Sequence, residues 1–148
     1  MNNMKVTIEK IYNDKQFLGL IIRKDYHDSG IQFLTDDQSP QQLGYMNREK
    51  DYVIAPHVHN NVPRTVELTQ EVLIIQSGKV RVDYYDDNQQ YLESRIAYEG
   101  DIVFLGYGGH GFKMLEDSEI VEVKQGPYCG AMDKVRFEPV EDNKVILK

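Results

Sequence analysis

Glu71-Val72-Leu73-Ile74-Ile75-Gln76-Ser77-Gly78-Lys79-Val80-Arg81-Val82-Asp83-Tyr84-Tyr85 is the stretch that decides the fold. It is dense in β-branched, aliphatic and aromatic residues and is broken once, at Ser77-Gly78, which reads as strand, tight turn, strand. The predicted strands are Gln70–Gln76 and Lys79–Tyr85. In the second, residues alternate, so Val80, Val82 and Tyr84 share one face while Arg81, Asp83 and Tyr85 share the other. Across the turn Asp86-Asp87-Asn88 a further strand, Gln90–Ala97, completes a hairpin. Its alternation sets Leu92 and Ile96 against Glu93 and Arg95. Both arms carry charges of both signs, which predicts that their polar faces are outer and solvated.

Working outward, the same signals recur. Strands are predicted over Lys5–Tyr12, Gln16–Arg23, Gly30–Leu34, Gln41–Asn47, Tyr52–His59, Asp101–Leu105, His110–Leu115, Glu119–Lys124 and Lys134–Glu138, with Thr35–Pro40 as a surface loop. No amphipathic 3.6-residue stripe competes with them. The expectation is an all-β chain, and 148 residues fit one domain with a sizeable core.

Histidine placement adds chemistry to this frame. His57 and His59 are two apart, a spacing that puts both imidazoles on one face of a strand, and Pro56 argues against a helix there. With Glu71 and with His110 in Gly108-Gly109-His110-Gly111 they form a set of three imidazoles and one carboxylate, the donors that a divalent first-row metal takes. Glu67 lies nearer the histidines in sequence and is the competing carboxylate, but only Glu71 keeps a six-residue run to Gly78. Gly106-Tyr107-Gly108-Gly109-His110-Gly111 also matches the glycine fingerprint of dinucleotide sites. That reading needs a helix after the glycines, and Phe112-Lys113-Met114-Leu115 leads into another strand pattern instead. The glycines are read as an inter-strand turn that directs His110 inward.

These residues carry a resemblance to the cupin superfamily of small β-barrels. The first family motif, Gly, five residues, His-x-His, a short gap and Glu-x6-Gly, corresponds to His57, His59, Glu71 and Gly78. The second, Gly-Asp-x4-Pro-x-Gly, a short gap and His, corresponds to Gly100-Asp101, Gly108 and His110. The sequence departs from the pattern at four places. Asp51 stands where the leading glycine belongs, and eleven residues separate His59 from Glu71, so that Asn60 to Gln70 must bulge out. Gly106 replaces the proline, and the step from Gly108 to His110 is one residue short. The resemblance implies a single jelly-roll barrel over residues 1–148 holding one divalent transition metal (zinc, iron, manganese or nickel) and usually pairing as a homodimer through N-terminal strands. It also implies a range of chemistries: sugar isomerases and epimerases, dioxygenases, decarboxylases and non-catalytic binding proteins. The expected activity is that of an isomerase or epimerase acting on a sugar phosphate or nucleotide sugar, with an iron-dependent dioxygenase and a binding or sensor barrel as alternatives.

Composition narrows the partners. A net charge of −7 disfavours nucleic acid and anionic membrane, both of which need a cationic footprint. No stretch is apolar and long enough to span a bilayer, and a single cysteine, Cys129, allows no internal disulfide, so a cytoplasmic protein is expected. An anionic small molecule would need local cations, and Arg64 in the inserted loop and Lys124 are the candidates. Alternation over Glu119–Lys124 puts Glu122 and Lys124 on one face and Val121 and Val123 on the other. That face is either solvent or the lumen; in the lumen, Glu122 and Lys124 would act as acid and base, Lys124 with a pKa lowered by burial. Tyr84 is a candidate to contact the substrate.

Overall fold

A computed structural model describes residues 6–148. Among them there is no α-helix; ten strands and two short 3-10 turns make the chain all-β. The strands are β1 Ile8–Asn13, β2 Gln16–Ile22, β3 Gly30–Phe33, β4 Gly44–Asn47, β5 Glu71–Ser77, β6 Lys79–Tyr85, β7 Tyr91–Tyr98, β8 Ile102–Leu105, β9 Gly109–Met114 and β10 Glu119–Lys124. Position 5 of the expected first strand lies outside the described residues. The chain separates into two compact units: His27–Leu68 is one, and the other takes the N-terminal part through Tyr26 and resumes at Thr69–Lys148.

The larger unit consists of two antiparallel sheets, one of five strands in the order β1-β2-β8-β5-β10 and one of three in the order β7-β6-β9. Neither sheet closes on itself. Their inner faces share one apolar core. Ile11, Leu18, Ile21, Leu73, Ile75, Val103 and Leu105 come from the larger sheet, and Val80, Val82, Tyr84 and Ala97 from the smaller. Each sheet alone would leave this face wet; facing one another they remove it from water, at roughly 1.5–3 kcal/mol for each large aliphatic side chain. From β5 onward the chain alternates between sheets, so that β6 and β7 form the expected hairpin, β8 returns to pair with β5, β9 pairs with β6, and β10 pairs with the other edge of β5.

The turn glycines behave as the sequence demands. Gly78 has φ +87°, and a Cβ there would lie 2.3 Å from the Asp117 carbonyl oxygen. Gly100 has φ +86°. The next residue, Asp101, is buried and accepts hydrogen bonds from the Arg23 guanidinium (2.7 Å) and the backbone N–H groups of Lys24 and Tyr98 (3.0 Å each). The Gly-Asp pair thus ties the β7–β8 turn to the end of β2.

The hairpin corrects one expectation. Arg81, Asp83 and Glu93 are buried, not solvated. Register pairs Glu93 with Tyr84 and Arg95 with Val82, so this acid–base pair faces the interior, contrary to the grouping inferred from Leu92 and Ile96. It survives there because Arg95 meets Glu93 at 2.7 Å. On the opposite face, the C-terminal residues cover Arg81 and Asp83. Arg81 forks onto both Asp83 oxygens (2.7 and 3.0 Å) and reaches Asp142 at 2.9 Å. Asp142 also pairs with Lys113, Val140 N–H donates to the Tyr85 hydroxyl at 2.9 Å, and Leu147 runs parallel beside Ser94. Alternation cannot distinguish a face covered by solvent from one covered by the chain's own tail. The strand expected over Lys134–Glu138 is absent, although that segment lies within this covering.

In the smaller unit β3 and β4 pair as a hairpin from Gly30↔Asn47 to Phe33↔Gly44. Thr35 Oγ1 accepts from Leu43 N–H at 3.0 Å and Asp36 Oδ1 from Gln38 N–H at 2.8 Å, which closes the expected surface loop. Residues 48–68 contain no strand, so the one expected over Tyr52–His59 does not form. Asp51 has φ +69°, the left-handed conformation for which glycine is the ordinary choice and which aspartate tolerates best after asparagine.

Replacing Gly78 by alanine combines a left-handed φ with a hard contact on backbone. It is expected to cost about 1–3 kcal/mol, read as a lower thermal midpoint. A melt unchanged from wild type would show that the β5–β6 turn is not constrained in this way.

Candidate functional site

One end of the interior of the larger unit is polar, and the register of the strands explains why. On β5, Leu73 and Ile75 point into the core, so Glu71 shares their face. Lys124, Glu122 and Ile120 on β10 stand opposite or next to Glu71, Leu73 and Ile75 respectively, and Ile120 packs on the core. His110 pairs with Tyr84 and Phe112 with Val82 across the smaller sheet, and Phe112 also packs on the core. Glu71, His110, Glu122 and Lys124 therefore project from two sheets to the same side. For Glu122 and Lys124 this selects the inner of the two faces open to them.

Glu71 and His110 touch: Glu71 Oε2 is 3.1 Å from His110 Nε2. Glu71 is buried, its side chain 6% exposed. The hydrogen bond from His110 holds its carboxyl below the usual value, against a desolvation that pushes the other way, with Lys134 and Lys124 adding smaller favourable charge. A cavity of about 580 Å³ opens beside this pair. Its wall includes Thr69, Glu71, His110, Phe112 and Glu122 on the sheet side, and Asp133, Lys134, Arg136 and Phe137 from the C-terminal segment. Gly108 and Gly109 lie at its rim, where φ is +73° at Gly108 and a Cβ would strike the Tyr85 carbonyl oxygen at 2.5 Å. The glycine-rich run is thus a close-packed turn that leads straight into β9, with no helix behind it.

Lys124 differs from expectation in its charge state. Its ammonium lies 3.1 Å from Asp133 Oδ2, and that hydrogen bond raises its pKa above the ordinary value, where burial was expected to lower it. Lys124 is therefore a fixed cation in the free protein and no ready base. Tyr84 is likewise a core residue: it is 1% exposed and does not line the cavity, and burial pushes its hydroxyl pKa up. The tyrosine at the cavity is its neighbour Tyr85, on the opposite side of the pleat, whose ring meets Phe137 edge-on at 5.0 Å between centroids.

The remaining candidates belong to the smaller unit. His57 and His59 have ring centroids 5.2 Å apart in an edge-to-face arrangement, and His57 Nδ1 lies 2.9 Å from the Ala55 carbonyl oxygen. Glu67 is exposed, and Arg64 is exposed with its guanidinium at 3.4 Å from the Val62 carbonyl. Among the described residues, no three His, Cys, Asp or Glu side chains stand grouped as a ready-made metal site. Sequence reasoning missed Asp133, Lys134, Arg136 and Phe137. Lys134–Glu138 was read only as a strand, and no local pattern marks an irregular segment as the wall of a cavity formed by residues far away in sequence.

Comparison with family models, curated proteins and solved structures finds no match to this chain.

The Glu71–His110 contact makes an acid-sensitive link. A carboxyl whose folded pKa lies below its unfolded value contributes stability that is complete above the unfolded value and is lost as pH falls through the folded one. Chelator-treated protein should lose thermal stability as pH falls below the ordinary glutamate value, and His110→Ala should flatten that loss in the same acid window. Parallel acid profiles for the two proteins would show that His110 does not set the ionisation of Glu71.

Proposed function

We propose that the chain is a metal-binding cupin barrel acting on a small polar metabolite, with His57, His59, Glu71 and His110 as ligands to one divalent transition metal. The observation that carries the reading is the Glu71–His110 pair, a buried carboxylate and an imidazole 3.1 Å apart at the edge of a cavity sized for a metabolite. An imidazole and a carboxylate already brought together are half of a mixed nitrogen–oxygen donor set. The other half rests on the sequence, in which His57-x-His59 follows a position that keeps a left-handed turn without its glycine, Asp51. Strand order supports the finer fold. β6:β7 and β5:β8 pair as successive rungs of one antiparallel ribbon, and β9 and β10 each end a sheet. With β1 and β2 set aside, β8-β5-β10 and β7-β6-β9 are two three-stranded layers, and one more strand on each of the β10 and β9 edges would complete the eight-stranded jelly-roll plan.

His57, His59, Glu71 and His110 would hold such a metal, which would supply Lewis acidity toward substrate oxygens. This chain supplies the acid–base groups around it. Glu122 lines the cavity as a carboxylate acceptor, and Lys124 presents an ammonium that can donate a proton or hold negative charge but does not accept one. An isomerase or epimerase acting on a sugar phosphate or nucleotide sugar fits such groups; an iron dioxygenase would show oxygen consumption, and a binding barrel would show no turnover.

Protein purified without chelator should hold about one metal per chain, and its removal should lower the melting temperature, because a ligand bound only by the folded state stabilises it. Glu71→Ala and His110→Ala should each weaken metal binding by roughly tenfold or more, with Glu67→Ala near wild type. Metal-free protein whose melt ignores added zinc, nickel, manganese and iron would refute the site, and loss confined to Glu67→Ala would move the carboxylate ligand.

The protein is further proposed to be a homodimer joined along β1, which among the described residues ends the five-stranded sheet and offers an unpaired edge. Light scattering at micromolar concentration should give twice the 17.2 kDa chain mass. A monomer mass would remove the dimer.

A further inference from the structure

We propose that the cavity beside Glu71 and His110 takes the anionic end of its ligand, a phosphate ester or carboxylate on a hydroxylated metabolite, against Lys134 and Arg136 of the C-terminal segment. The proposal deepens the small-metabolite reading above and rests on it, and it moves the anion subsite from Arg64 and Lys124 to residues whose sequence context gave no hint of a site.

Charge matching within the wall leads to this assignment. Of the three carboxylates that line the cavity, Glu71 is held by His110 with Lys134 and Lys124 adding favourable charge, Asp133 pairs with Lys124, and Glu122 makes no side-chain hydrogen bond or ion pair among the described residues. Lys124 is thereby already engaged. Lys134 and Arg136 line the same cavity and, among the described residues, neither makes a side-chain hydrogen bond or ion pair. Their charged nitrogens are thus left available on the cavity wall to donate to an anion, in a chain whose net charge is −7.

The segment is also fixed on both sides of the two cations. Ahead of them, Asp133 is held by the Lys124 ammonium at 3.1 Å. Behind them, Phe137 packs on Tyr85, and Val140 N–H donates to the Tyr85 hydroxyl at 2.9 Å. Binding there would order little new backbone, so less of the interaction energy is lost to entropy. The rest of the wall describes the remainder of the ligand. Tyr85, Phe112 and Phe137 offer ring surface, and Glu122 is an acceptor for hydroxyl protons. A volume of about 580 Å³ admits a metabolite.

The test is calorimetric titration of the full chain with ribose 5-phosphate, inorganic phosphate and free ribose, with and without chelator. Ribose 5-phosphate should bind at least about tenfold more tightly than ribose, and Lys134→Ala/Arg136→Ala should remove that difference while leaving metal content and the ligand-free melt unchanged. Arg136→Lys should retain part of the affinity. A double variant that binds ribose 5-phosphate like wild type overturns the proposal, as does a wild type that binds neither phosphate compound. Binding that persists under chelator and still depends on Lys134 and Arg136 upholds the anion subsite. Should the protein also prove metal-free as purified, the metal reading alone would fail.

Discussion

The two-residue repeat of β5 is the constraint on which the rest depends. Leu73 and Ile75 must face the core, and the pleat then brings Glu71 inward with them, whatever the cost of burying a carboxylate. A buried charge left without its partner costs about 3–5 kcal/mol, several times what an exposed ion pair contributes. His110 is therefore a structural requirement of Glu71 before it is anything chemical. Its own position is set by the same rule, through Val82 and Tyr84 on the strand beside it. Apolar burial at one end of the interior and a reactive polar group at the other are two results of one register.

Polar burial also shapes the far side of the small sheet. Arg81 and Asp83 lie under the C-terminal residues and pair with one another, while Asp83 in addition accepts from the Ser94 hydroxyl. The same residues that cover this face continue past Tyr85 to the cavity wall. Core, cover and cavity are thus linked through the neighbouring tyrosines 84 and 85, one on each side of the sheet, at a point where the β6–β7 register shifts.

Most of the strand content was legible in the sequence because it rests on local alternation and on turn glycines, and these have no competing explanation at Gly78, Gly100 or Asp86. The facing of Glu122 and Lys124 was not legible: alternation pairs them but cannot say which side is inside, and only the contact of Ile120 with the core decides it. Charged faces were misread for the same reason at Arg81, Asp83 and Glu93. The pairing of Glu71 with His110 was legible as residue chemistry. The contribution of Lys134 and Arg136 was not, since it depends on where an irregular segment comes to rest.

Asp142 joins Arg81 on β6 to Lys113 on β9, the strand that carries His110, and does so with its side chain 65% exposed. Exposed ion pairs weaken as salt is raised, whereas the apolar core is strengthened by salts excluded from the protein surface. Dissolved salt therefore acts on the two halves of this unit with opposite sign. Raising it strengthens the apolar sandwich and weakens the exposed link that Asp142 makes between β6 and β9.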